Sequence, residues 1–196
     1  MHIDVKFPLL SGDISIDLIN TEVVRHNQRH DLLTEPGHLV AWFHAIKSSG
    51  YIEDAQFSAE VEKWAEEALP ALRQIRALLR QQFEQLADGQ GFEQHTVSVM
   101  ERLIGLAPFA YQLRNNRLLP VPSGSPKDAL LALIAFNLLQ LKADDRLQHV
   151  HRCDNKECVL LFIDNNPRRK WCSMKICGNR MKVTRHQQQK KHESST

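Results

Sequence analysis

Cysteine is scarce in this chain and is confined to one end. The 196 residues hold four cysteines, and none lies before position 153. A disulfide framework spread through the fold is therefore excluded. Long apolar runs are missing too. The longest, Ala129 to Leu141, is interrupted by Asn137 and Gln140 and is too short to span a membrane. The opening MHIDVKFPLL holds no apolar stretch long enough for a signal peptide. These absences predict a cytoplasmic protein with reduced thiols. There is no long Gly/Ser linker and no internal repeat. There is also no Gly-rich phosphate loop, no Gly-x-Ser-x-Gly elbow and no His-Glu-x-x-His. The chain does not read as an enzyme, and catalysis on a small molecule in the N-terminal part is kept only as an alternative.

What is there is uneven in charge. The formal net charge is +2, but from His149 onward there are eleven Lys/Arg against four Asp/Glu, and before it fourteen against nineteen. A basic end on an acidic body points to a polyanionic partner for that end and places a boundary near Leu147.

The four cysteines fall in the basic end as two Cys-x4-Cys pairs, Cys153/Cys158 and Cys172/Cys177, with thirteen residues between them. A tight turn aims two thiolates at one ion, and two such turns close a tetrahedral shell. No position remains for water, so one structural Zn2+ per chain is predicted rather than a catalytic one. Two disulfides are the alternative, but these suit small secreted chains. Between the pairs, Val159 to Ile163 reads as a strand and Asp164-Asn165-Asn166-Pro167 as a turn. Arg168 to Trp171 reads as a returning second strand, and a helix follows from Gly178. Knuckle, hairpin, knuckle and helix make a treble-clef-like zinc finger with four cysteine ligands. A segment this short buries too little to fold without its metal.

Trp171-Cys172-Ser173-Met174 followed by Cys177-Gly178-Asn179-Arg180 resembles the signature of the CGNR zinc finger. Phe162-Ile163-Asp164, the basic run Arg168-Arg169-Lys170 and the basic ending from Lys182 to Lys191 match that family as well. In the family the finger follows an N-terminal ABATE domain, and the pair is regarded as a stress-responsive transcription regulator of bacteria. Here Ile16-Asp17-Leu18-Ile19-Asn20-Thr21 and Asp31-Leu32-Leu33 resemble ABATE landmarks. The resemblance implies an ABATE-like sensing or assembly domain over residues 7–145 and the finger over 149–190. It also implies DNA as partner, with a small-molecule signal, a protein partner or a homodimer allowed.

The N-terminal part reads as mainly helical, so the fold class is mainly α with a small β content. Thr34 is placed to cap a helix running to Lys47, with Leu39, Trp42, Phe43 and Ile46 as its buried stripe. Ser58 to Leu86 carries Val61, Trp64, Ala68, Leu72, Ile75, Leu79 and Phe83 at helical spacing; at Pro70 the helix kinks or a new one begins. A further helix is placed at about Phe92 to Ile104. Asn115-Asn116 reads as the turn of a hairpin. Ser125 caps a last helix, Pro126 to Lys142, apolar nearly all round and so the central core helix. His26 and His30 are spaced i, i+4, which on a helix would put two ring nitrogens on one face for a second metal ion. Asn27, Gln28 and Arg29 between them read instead as solvated surface. Asp17 and Asn20 sit on an otherwise apolar helix. They are candidate ligand-binding residues of a small-molecule pocket, or else members of a buried hydrogen-bond network.

The candidate nucleic-acid contacts are Arg168, Arg169 and Lys170 beside the finger helix, and Lys175, Lys182, Arg185 and His186 on one arc of it. Arg180 lies about 160° from Lys182 on that wheel. It is expected to face inward, bonding knuckle carbonyls or packing on Trp171. The alternative is a zinc-stabilised protein-interaction module that docks an acidic partner.

Overall fold

A computed structural model describes residues 6–57, 59–166, 168–184 and 187. In chain order they form α1 (Ile14–Ile19), β1 (Glu22–Arg25), β2 (Gln28–Asp31), α2 (Pro36–Ser48), α3 (Ala65–Ala87) and α4 (Gln94–Leu106). There follow β3 (Phe109–Arg114), β4 (Arg117–Pro122), α5 (Pro126–Ala143), β5 (Val150–Arg152) and β6 (Leu161–Ile163). The strands pair as three separate antiparallel hairpins. The fold is mainly α with little β, as the sequence predicts.

Helix α5 is the axis of the N-terminal part. Ser125 Oγ accepts the Asp128 amide at 3.2 Å, and Pro126 takes the first-turn position that needs no amide hydrogen. Nine of its residues, from Ala129 to Leu141, are buried because α4 covers one side while α1 and α3 pack on others. Helix α3 runs through Pro70 without ending. The carbonyl that loses its donor there belongs to Glu66, and both residues face solvent, where water can replace the bond. Helix α2 begins as expected, but Glu35 rather than Thr34 precedes it, and the Thr34 hydroxyl pairs with His38 Nδ1 at 3.0 Å.

Two hairpins turn on left-handed residue pairs. Asn115 and Asn116 have φ of 47° and 62°, as their type predicts. His26 and Asn27 have φ of 51° and 60° and join β1 to β2. This removes the helical alternative for His26 and His30, and the exposure of residues 26–30 agrees with the solvated-surface reading. The two lie in a hairpin, and His30 Nε2 meets the Arg25 carbonyl at 3.3 Å.

The C-terminal part departs from the expected strand pairing. β6 does not pair with Arg168 to Trp171; its partner is β5, ahead of the first cysteine pair, in the register Val150↔Ile163, His151↔Phe162, Arg152↔Leu161. Alternation along this ladder divides its side chains between two cores. Val150, Leu161 and Ile163 join the main core of the helices. Phe162 turns the other way, into a small cluster with Leu160, Cys153, Cys172 and Cys177. The finger is therefore packed onto the helical part by its own hairpin.

Candidate metal centre

Each cysteine is set by a short local device. Cys153 follows β5, and the next amide, Asp154, donates to the Lys170 carbonyl at 2.8 Å, tying the two halves of the finger together. Asn155 shapes the first knuckle. Its carbonyl accepts the Cys158 amide at 2.7 Å, its Oδ1 accepts the Glu157 amide at 3.2 Å, and its Nδ2 donates to Cys177 Sγ at 3.5 Å. The second knuckle starts at Ser173, whose Oγ accepts the Ile176 amide at 3.0 Å. The Ser173 carbonyl accepts the amides of both Cys177 and Gly178, at 3.1 and 3.0 Å. The resulting wide π-helical turn, Met174–Gly178, carries Cys177 back over the site and leads into helix at 179–184. Gly178 packs closely: a Cβ there would lie 2.5 Å from the Met174 sulfur, at the mobile end of a half-exposed side chain that could move aside, and 3.3 Å from Trp171 Cδ1.

The four Sγ atoms all lie within 4.8 Å of one another, with Cys153, Cys172 and Cys177 buried and Cys158 partly so. Cys158 Sγ and Cys172 Sγ are 3.9 Å apart. A disulfide needs about 2.05 Å. Four bonds of about 2.3 Å to a central zinc place neighbouring sulfurs about 3.8 Å apart. Backbone amides point at two of the sulfurs, Cys172 N at Cys153 and Leu160 N at Cys158, at 3.4 and 3.5 Å. Such donors suit thiolates. The thiols left to themselves resist shared ionisation. Hydrogen bonds from Cys158 and Cys172 pull Cys153 far down, while the bond to Cys153 pushes both Cys158 and Cys172 far up. A divalent cation is the charge that lets all four deprotonate. The donor set thus fits zinc in a closed structural site. Protein purified without added metal is expected to contain one zinc per chain by elemental analysis. A value near zero, with disulfides found by mass spectrometry, would refute it.

Arg169 holds the second knuckle. Its guanidinium sits 4.3 Å over the Phe162 ring, and Nε donates to the Trp171 carbonyl at 3.0 Å. Nη2 donates to the Cys172 carbonyl and Nη1 to Asp164 Oδ2, the latter at 3.1 Å. This is the inward role expected of Arg180. Arg180 itself is 60 % exposed and pairs with Glu157 Oε2 at 2.5 Å, linking the finger helix to the first knuckle from outside. Arg168, Lys170, Lys175 and Lys182 are exposed, and among the described residues none has a carboxylate within 4.0 Å. Arg185 and His186 lie outside the described residues.

The candidate ligand residues of α1 have protein partners. Asp17 accepts the amides of Leu10 and Ser11 at 2.9 and 3.3 Å and the Tyr51 hydroxyl at 2.5 Å. Burial pushes its carboxyl up, against these bonds. Asn20, fully buried, donates from Nδ2 to the Leu161 carbonyl at 2.9 Å and accepts the Leu161 amide on Oδ1 at 3.0 Å. Beside it, Arg80 reaches the Val159 carbonyl at 2.6 Å and also donates to the Ile19 carbonyl. Arg80 and its neighbour one turn back, Arg76, are buried and escaped the reading of the sequence. Their signal was two arginines at i, i+4 flanking the apolar stripe of α3.

A model of the CGNR zinc finger matches residues 149–190. The ABATE model, described as "Putative stress-induced transcription regulator", matches residues 12–145, more than half of the chain. Neither description names an enzyme. No curated protein matches the chain. Among the described residues no helix is long and apolar enough to cross a membrane. Four cysteines this close within a CGNR-type finger make one structural zinc the cofactor. By its match over residues 12–145, followed by the finger, the chain belongs to the ABATE family, with a CGNR zinc finger over residues 149–190.

Proposed function

We propose that this chain is a transcription regulator that binds DNA through its finger, with Cys153, Cys158, Cys172 and Cys177 holding the zinc and the N-terminal domain sensing a signal or assembling the protein. The observation that carries the reading is the sorting of cations on the finger. Arg152 pairs with Asp88, Arg169 with Asp164 and Arg180 with Glu157, so these are engaged within the chain. Arg168, Lys170, Lys175 and Lys182 project to solvent without such partners among the described residues. Lys175 and Lys182 are seven residues apart on the π-helical turn and its following helix, and Arg168 and Lys170 line an open groove with Trp171 and Met174 beside them. Exposed cations free of carboxylates among the described residues are what a phosphate backbone recruits, because each neutralised phosphate releases counterions.

The test is titration of random duplex DNA with the zinc-loaded full chain at several salt concentrations. Affinity should fall steeply with salt. Lys182→Ala should weaken binding at every sequence and reduce the salt slope by about one unit. Its stability should shift by less than about 0.5 kcal/mol. Arg180→Ala should likewise leave the fold nearly unchanged, since an exposed pair contributes at most about 1 kcal/mol. Arg169→Ala should release zinc more readily, because it removes the clamp on the second knuckle. If DNA binding is insensitive to salt and to Lys182→Ala, the proposal fails. The finger helix also exposes Met174, Ile176 and Val183. That apolar content favours a second reading, docking of an acidic protein, which the absence of salt-dependent DNA binding would leave standing.

A further inference from the structure

Residues 6–8, strand β1 and both knuckles of the finger enclose a cleft of about 290 Å³. That is close to the lower end of small-molecule sites, roughly 300 Å³. Its inner wall is apolar: Phe7, Val23, Leu160 and Ile176. Its polar lining is unbalanced. Lys6, Arg25 and Arg180 contribute three cations and Glu157 the one carboxylate, which Arg180 already holds. Among the described residues neither Lys6 nor Arg25 has a carboxylate within 4.0 Å. Among the described residues, two cations thus stand without a carboxylate partner at an apolar recess that ends against Cys158 and Cys177.

The geometry points to a binding site here for a small organic anion with an apolar body, such as a medium-chain carboxylate. The apolar wall would take the body and the Lys6–Arg25 side the charge. The position gives such a ligand a purpose within the proposed function, on whose sensing half this inference rests. One wall belongs to the ABATE domain and the other to the finger, so an occupant touches both at once. Its differential contacts with the two parts are what could change the finger.

Octanoate is the probe, titrated calorimetrically into the zinc-loaded full chain without DNA. Binding should strengthen from hexanoate to octanoate by up to about fourfold per methylene, the factor that burial of one such group supplies. Neutral 1-octanol should bind at least about tenfold more weakly, since a charge-assisted contact is lost. The exposed double variant Lys6→Glu/Arg25→Glu should weaken octanoate by at least about tenfold, and 1-octanol by less than about twofold. Methyl resonances of Val23, Leu160 and Ile176 should shift on titration. Equal binding of octanoate and octanol, an unchanged double variant, shifts confined to other methyls, or no binding at millimolar octanoate would each overturn the site. Octanoate that binds as described but leaves DNA affinity unaltered would uphold the site and remove the sensing role.

Discussion

Asn20→Ala is expected to destabilise the full chain by about 2–4 kcal/mol. The side chain satisfies the amide and the carbonyl of one residue, Leu161, that lies 141 positions away, and all these groups are buried. Alanine leaves both backbone groups without partners, at about 1–3 kcal/mol each. The effect should reach the metal. Leu161 belongs to β6, whose next residue, Phe162, joins the small cluster that contains three of the cysteines. Zinc should therefore pass faster to a chromogenic chelator in Asn20→Ala than in the parent chain. Denaturant unfolding of the zinc-loaded protein measures the first effect and the chelator assay the second. If Asn20→Ala is as stable as the parent, the bonds to Leu161 are incidental, and a ligand-binding role for Asn20 regains its ground.

The second large effect concerns Arg76 and Asp31. Arg76, buried in α3, makes two bonds of 2.6 Å to the carboxylate of Asp31 at the end of β2, and a third of 2.9 Å to Thr21. Glu22 lies 3.7 Å away. Asp31→Ala leaves the guanidinium only Thr21 and the more distant Glu22, and about 3 kcal/mol is expected, the low end for breaking a buried pair because Glu22 compensates in part and Asp31 keeps some solvent contact. Arg76→Met combined with Asp31→Ala should cost less than the two single changes added, since no buried guanidinium is then left without its carboxylate, and Arg73, the other partner of Asp31, is half exposed. The pair also sets an acid dependence. Burial pushes the Asp31 carboxyl up, but the Arg76 bonds, the Leu33 amide and the charges of Arg76 and Arg73 outweigh it and hold it below the usual value of 3.8. A depressed folded value contributes stability above the unfolded one, and that stability is lost as pH falls through the folded value. The gap between the parent and Asp31→Ala should thus be full at neutral pH and narrow below about pH 4. Asp17 works in the opposite sense. Burial raises it, so its contribution is greatest below its unfolded value and fades as pH rises through the folded one. A gap that does not change with pH would show that Asp31 is not the group responsible.

Much of this protein was legible in its residue order. The four cysteines could be assigned to one site because their spacing encodes turns, and turns are local. Helix α5 was legible because its cap and its apolar run are adjacent in sequence, and the Asn115-Asn116 hairpin because the turn residues themselves carry the unusual backbone angles. The β1–β2 hairpin was not. Its strand Gln28–Asp31 is almost wholly exposed and has no alternation to read, and its turn is His26-Asn27 rather than an Asn-Gly.

What only the tertiary structure decided lies mostly at the seam between the two matched parts. Strands of three residues carry too little pattern to choose a partner, so β6 could be assigned to the wrong neighbour. Packing resolved the choice, because pairing with β5 sends Leu161 into the helical core and Phe162 to the cysteines. The three guanidinium roles were hidden for a related reason. Composition counts Arg76, Arg80, Arg169 and Arg180 alike, yet three of them bond inward and one stays exposed. Periodicity records which face of an element is apolar. It does not record which distant carbonyl or carboxylate will be waiting there, because that partner is brought into place only when the chain closes on itself.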